Sequence, residues 1–131
     1  MSDYLADTSV FIAAQPRPDA RPAPEGAARV SVATLTELQL SVLNAREEPL
    51  RELRALTLAR ARAFIPLDYD EHVSERLASL IADVRRSGRR ANVMDCIIAA
   101  TAMVHDLTVW TQDQDFAVLA AVAPALSVHG L

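Results

Sequence analysis

No lysine occurs in this chain; all 13 basic residues are arginine. With abundant alanine, that bias reads as the mark of a GC-rich genome, and it also removes chemistry that needs an ammonium group beside an acidic site. Phosphotransfer receiver domains and haloacid-dehalogenase-type phosphatases both combine clustered acids with a Lys, so neither fits. Cysteine is nearly absent too. Cys96 is the only one, which rules out an internal disulfide and suits a reducing cytoplasm. No basic flank precedes an apolar run at the N-terminus, and no run reaches membrane length, so neither a signal peptide nor a spanning helix is expected. A net charge of −4 argues against a protein that simply coats nucleic acid.

What is present is apolar and ordered. Half of the 131 residues are hydrophobic, enough for one globular domain with its own core, and residues 1–131 are read as a single domain. Short β-branched runs alternate with helical spacing. Strands are predicted at residues 4–6, 29–33, 64–67, 108–111 and 126–128. Helices are predicted at 10–14, 34–46, 49–63 (with Pro49 at its start), 70–87 (stopped by Gly88), 93–104 and 115–122. Residues 15–26 hold four prolines and read as an irregular, partly extended loop. Alternation of this kind predicts an α/β protein, a three-layer α/β/α domain with a central parallel sheet flanked by helices.

In such a sheet, ligands gather at the carboxyl ends of the strands. Asp7 ends the first strand, Glu37 lies just past the second, and Asp113 and Asp115 follow the fourth. Asp95 opens a helix, apolar almost all round, that enters the fourth strand through a short turn and so runs antiparallel to it. A helix of about 14 residues rises ~21 Å, which returns Asp95 to the same edge. The path of the 70–87 helix stays open: it either spans the sheet or crosses the edge.

Each acid also has a local explanation. Thr34-x-x-Glu37 matches a capping box, Asn92-x-x-Asp95 nearly does, and Asp7 and Asp113 can be plain N-caps. Together they are harder to explain away. Two carboxylates ~5 Å apart repel by roughly 3 kcal/mol at an effective dielectric of 20. An all-oxygen set of this kind suits a hard cation, Mg²⁺ or Mn²⁺. Ser9 and Thr111 sit beside the acids, either orienting a carboxylate or water or making simple turn hydrogen bonds. Arg85, Arg86, Arg89 and Arg90 form the basic cluster, either a solvated helix end or a phosphate-binding rim. His72, His105 and His129 share no metal-ligand spacing. An adhesion-type metal site is also out, because Phe11 stands where Asp-x-Ser-x-Ser needs its last serine.

With those residues placed, the chain resembles the PIN-domain ribonucleases, and among them the VapC toxins of bacterial toxin–antitoxin pairs. The resemblance rests on Asp7-Thr8-Ser9, Thr36-Glu37-Leu38, Asp95 within MDCIIAATA, and Thr111-x-Asp113-x-Asp115-Phe116, in that order along the whole chain. It implies a Mg²⁺-dependent endoribonuclease, with Mn²⁺ as a substitute, acting in the cytoplasm as a homodimer and neutralised by a VapB-like antitoxin. By position, Asp7, Glu37, Asp95 and Asp113 become the principal catalytic and metal-site acids, with Asp115 in support. Water activated at that site would attack an RNA phosphodiester in line, leaving a 5′-phosphate and a 3′-hydroxyl. The Pro-rich segment departs from the family, where a helix is usual. Apolar positions in 10–14 and 50–63, with the Pro-rich loop as one wall, are expected to form the antitoxin groove. The competing reading is a catalytically inactive PIN-fold RNA- or partner-binding module.

Overall fold

The computed structural model describes residues 3–12 and 24–130. Its elements run β1 (Tyr4–Ala6), α1 (Thr8–Ile12), β2 (Ala28–Ser31), α2 (Val32–Leu43), α3 (Glu48–Arg62), β3 (Ile65–Leu67), α4 (Glu71–Arg86), α5 (Val93–Val104), β4 (Thr108–Trp110), α6 (Phe116–Val122) and β5 (Val128–His129). All strand pairs are parallel, in the order β3-β2-β1-β4-β5. The parallel three-layer architecture expected from the alternation is therefore present.

This order decides where a site can form. From β1 the chain steps outward through β2 to β3, then returns to β4 on the other side of β1. The direction reverses between β1 and β4, which makes their carboxyl ends the topological switch point. Ala6 lies opposite Trp110, and the Asp7 amide donates to the Trp110 carbonyl at 2.8 Å, so Asp7 and Thr111 leave the sheet side by side.

The main core lies where α4, α5 and α6 cover one face. Leu5 and Val109 from the sheet meet Val73, Leu80, Ile98, Phe116 and Leu119, all essentially inaccessible to solvent. A smaller core on the other side joins Leu38, Leu58 and Ala61, with Phe11 packed against it. The α4 helix packs along α5 and also touches α6, which settles its path: it belongs to the covering layer. A tight turn reverses the chain after α5. Asp106 takes a left-handed φ of 55°, and the Leu107 amide bonds to the Ala102 carbonyl at 2.8 Å. No helix among the described residues is long and apolar enough to cross a membrane.

Several boundaries differ from those read in the sequence. The second strand stops at Ser31 instead of Ala33, because the Ser31 hydroxyl accepts from the Ala33 amide at 3.0 Å and starts α2 two residues early. The last strand begins at Val128, not Leu126: the Leu126 amide closes a turn onto the Ala123 carbonyl, and its side chain is buried in the core. The first helix starts at Thr8; Ala13 and Ala14, expected to extend it, lie outside the described residues, as does the Pro-rich loop up to residue 23. Pro66 sits in β3, an edge strand bonded only to β2, where a missing N–H is tolerated.

Candidate active site

Asp7 is almost fully buried, and its position follows from the residues on either side of the β1–β4 crevice. Its Oδ2 receives the Ser9 hydroxyl at 2.8 Å, the Thr111 hydroxyl at 2.9 Å and the Ser9 amide at 3.3 Å. The two hydroxyls are themselves fixed, since the Gln112 amide donates to Ser9 Oγ and the Asp113 amide to Thr111 Oγ1, each at 2.9 Å. The two readings of Ser9 and Thr111 thus hold at once: they make turn hydrogen bonds and they orient a carboxylate. The Ser9 amide bond also gives Asp7 a capping role at the start of α1.

Glu37 has a different support. With Ser31 as the cap of α2, Glu37 falls in the second turn, so its reading as a capping-box residue does not hold. Its carboxylate instead accepts the Thr8 hydroxyl at 2.7 Å, and Thr8 lies 3.2 Å from the fully buried Thr34 hydroxyl. The sequence reading named Thr34 only as a capping-box residue and Thr8 only within the Asp7-Thr8-Ser9 motif, and gave neither a role in holding Glu37.

Asp95 is placed by Asn92, whose side chain accepts from the Met94 amide at 2.8 Å and caps α5 alone. That frees Asp95 from any capping duty. It is buried in the first turn and has no side-chain hydrogen bond among the described residues. Asp113 accepts the Asp115 amide at 2.9 Å, forming the turn that leads into α6, and Asp115 occupies the cap position without a side-chain bond of its own.

The five acids do converge, with an internal order that differs from the expected one. One carboxylate oxygen each from Asp95, Asp113 and Asp115 lie within 4.8 Å of one another. Asp7 and Glu37 stand around this trio within range of its charge. Asp115, read as a supporting residue, thus belongs to the tightest group. None of the three histidines joins it.

The electrostatics follow from this crowding. Burial pushes the Asp95 carboxyl up to about 7, and the charges of Asp7, Asp113, Glu37 and Asp115 push in the same direction. Burial also raises Asp7, against the opposing hydrogen bonds from Ser9 and Thr111. Glu37 is raised by burial and by the charges of Asp7 and Asp113, while the Thr8 hydroxyl pulls it down. Such a set takes up protons or holds a cation. Three convergent carboxylates with no Lys or Arg among them fit a hard divalent ion well.

The arginines do not act as one group. Arg86 pairs with Asp83 at 3.2 Å on the exposed surface of α4. Arg85, Arg89 and Arg90 instead border a crevice between the end of α4 and the start of α5.

Comparison with known proteins bears directly on this arrangement. Residues 4–122 match the PIN domain family. The chain belongs to that family. It is 42% identical over 118 residues to Ribonuclease VapC4 of Mycobacterium tuberculosis (strain ATCC 25618 / H37Rv), covering 88% of this chain and 89% of that protein. It is 45% identical over 102 residues to Ribonuclease VapC8 of the CDC 1551 / Oshkosh strain, covering 76% and 90%. Among solved structures, it superposes on a chain of the VapBC-5 toxin–antitoxin complex of M. tuberculosis with a TM-score of 0.87, at 34% identity and full coverage of both chains. This PIN domain is thus similar to proteins named VapC ribonucleases, and its acid group lies at the switch point between β1 and β4 of its own sheet.

Proposed function

We propose that this PIN domain is a metal-dependent endoribonuclease, the toxin half of a toxin–antitoxin pair, working in the cytoplasm on RNA. The observation that carries the reading is the convergence of five carboxylates from four chain segments around Asp95, whose own acidity is displaced to about 7. The identities with VapC ribonucleases support it.

Asp95, Asp113 and Asp115 would hold the ion, Mg²⁺ or in its place Mn²⁺, with the charges of Asp7 and Glu37 close enough to act on the same group. When bound, the metal supplies positive charge to a phosphodiester and to an attacking water at neutral pH. The protein's own residues do the positioning. Ser9 and Thr111 hold the Asp7 carboxylate in one orientation, and Thr8 does the same for Glu37. An ionised Glu37 or Asp7 can then accept a proton from water. Arg85, Arg89 and Arg90 offer guanidinium groups to the phosphates of an approaching strand.

The antitoxin reading rests on a second surface. Phe11, Ile12, Leu38, Leu50 and Leu53 line a groove of about 470 Å³ where α1 meets α2 and α3. Ile12 and Leu53 are more than half exposed there. An amphipathic segment of a small VapB-like partner fits such a groove, and the VapBC complexes among the structural neighbours support the pairing. The Pro-rich wall expected beside it falls outside the described residues. A homodimer, as expected from the family, completes the proposal.

The deciding experiment is RNA cleavage by the purified protein with Mg²⁺ and with EDTA, beside Asp95→Asn. Metal-dependent cutting lost in the variant supports the enzyme. A wild type that binds RNA but never cuts it, with either ion, returns the protein to a binding module. Co-expression with the adjacent small gene should suppress toxicity, and Leu53→Asp should restore it while leaving cleavage intact.

A further inference from the structure

The crevice beside Asp95 has no part in the acid group, yet its composition is specific. Ile81, Val84 and Cys96 make an apolar floor, and Arg85, Arg89 and Arg90 stand around the rim of a cavity of about 270 Å³. None of these three guanidinium groups has an ion-pair partner among the described residues, in contrast to Arg86. Val93, which opens α5 and lines the crevice, is 59% exposed. An apolar slot ringed by uncompensated arginines matches a ligand that is flat and apolar at one end and anionic at the other.

Its position supplies the identity of that ligand. Cys96 directly follows Asp95, so the crevice and the acid group occupy two flanks of the same first turn of α5. Successive helical residues are turned by about 100°, which sends Val93 and Asp95 to nearly opposite sides of a cylinder ~10–12 Å across. A single strand crossing the end of α5 reaches both.

We propose that the crevice is a base-reading subsite, which takes one unstacked nucleobase of the RNA while the arginines hold the adjoining phosphate. It rests on the ribonuclease reading above and deepens it: cleavage becomes dependent on the base that enters the crevice. Sequence-selective proteins read single-stranded RNA in this way, with splayed bases packed on apolar surfaces or guanidinium planes. The acid group alone carries no means of telling one base from another.

The test uses mononucleotides, which need no knowledge of the target RNA. The four nucleoside 5′-monophosphates and ribose 5-phosphate are titrated in turn into ¹⁵N-labelled protein with Mg²⁺. At least one nucleotide should bind roughly ten-fold tighter than ribose 5-phosphate, the scale of one well-packed base, and shift the amides of Ala91, Val93 and Cys96. Ala91→Leu, which fills the crevice, should erase that advantage while sparing the affinity for ribose 5-phosphate. Should Ala91→Leu not fold, the exposed pair Arg89→Gln and Arg90→Gln should weaken both ligands several-fold. Equal affinity for ribose 5-phosphate and all four nucleotides overturns the proposal, as do shifts confined to other residues. A change of mass in solution on filling the crevice, with nucleotide binding unchanged, would make it a protein contact instead. A protein that cuts RNA but fails this test keeps its proposed activity and loses only the subsite. One that passes it without cutting keeps the subsite and loses the activity.

Discussion

Asp7 and Asp95 are both buried aspartates at the same sheet edge, raised in pKa by the same cause, and the structure treats them in opposite ways. Asp7 receives three hydrogen bonds on one oxygen from donors that are themselves anchored. Asp95 receives none among the described residues and faces four other carboxylates. A carboxylate with fixed donors has its orientation decided before any ligand arrives. One without them is destabilised in the metal-free protein and recovers that energy only when a cation appears. The site thus consists of a braced half, Asp7 and Glu37, and a largely unbraced half, Asp95, Asp113 and Asp115, in which the Asp115 amide on Asp113 is the one hydrogen bond to a carboxylate among the described residues.

The largest effect expected from this contrast is at Asp95. Asp95→Asn should lower cleavage by at least ~100-fold, since a ligand of the ion is lost. In EDTA the same variant should melt higher than wild type, by roughly 3–6 °C, because the removed charge was repelled from every side. Asp7→Asn should also abolish cleavage but without that gain, because the hydrogen bonds that hold its carboxylate are weakened. Scanning calorimetry in EDTA separates the two. If both variants are stabilised alike, the division into braced and unbraced halves is wrong.

Thr111→Val probes the braced half directly. It removes a donor to Asp7 and the acceptor for the Asp113 amide while keeping the side chain's shape. Leaving the Asp113 amide without its partner, and Asp7 with two donors in place of three, should cost about 1–3 kcal/mol of stability, and cleavage should fall by about ten-fold as the Asp7 carboxylate is held less firmly. A variant with normal stability and normal turnover would show that the bracing is ornamental.

Much of this was legible in the sequence, and the reasons differ by feature. The alternation of strand and helix, the antiparallel return of α5 and the arrival of five acids at one edge all follow from local periodicity joined to topology. The start of α2 was misread because Ser31 can end a strand or cap a helix, and only the Ala33 amide shows which. The role of Thr8 went unnoticed because its partners, Glu37 and Thr34, lie 29 and 26 residues away, beyond any local pattern. The arginine run looked like one cluster because spacing conceals that Arg86 turns back to Asp83.

Gly130 ties the far end of the sheet to the site and gives a smaller effect. Its φ of 111° belongs to the region that disfavours a side chain, and an added Cβ would land on the Thr111 carbonyl oxygen. Gly130→Ala should cost roughly 1–3 kcal/mol by forcing the backbone apart. Because Thr111 carries one of the donors to Asp7, metal affinity should weaken several-fold in parallel. Stability lost with metal affinity intact, by urea denaturation and calorimetric titration, would disconnect β5 from the site.

The smallest expected effect is a slope with pH. Asp95 is held near 7 in the folded protein against an ordinary value of 3.8, and Asp7 and Glu37 are raised in the same direction. Between those limits the native protein binds more protons at this site than the unfolded chain does. Stability from this source is therefore fully present below about pH 4 and is lost as pH rises through 7. In EDTA the contribution of the acid group should make wild type melt lower at pH 7.5 than at pH 5.5, with a shallower fall in Asp95→Asn. Saturating Mg²⁺ should reverse the trend, because the ion binds the ionised form and stabilises the native state by mass action. Identical slopes in wild type and Asp95→Asn would mean that Asp95 titrates no differently folded than unfolded. The repulsion that defines the unbraced half would then be absent from the protein in solution.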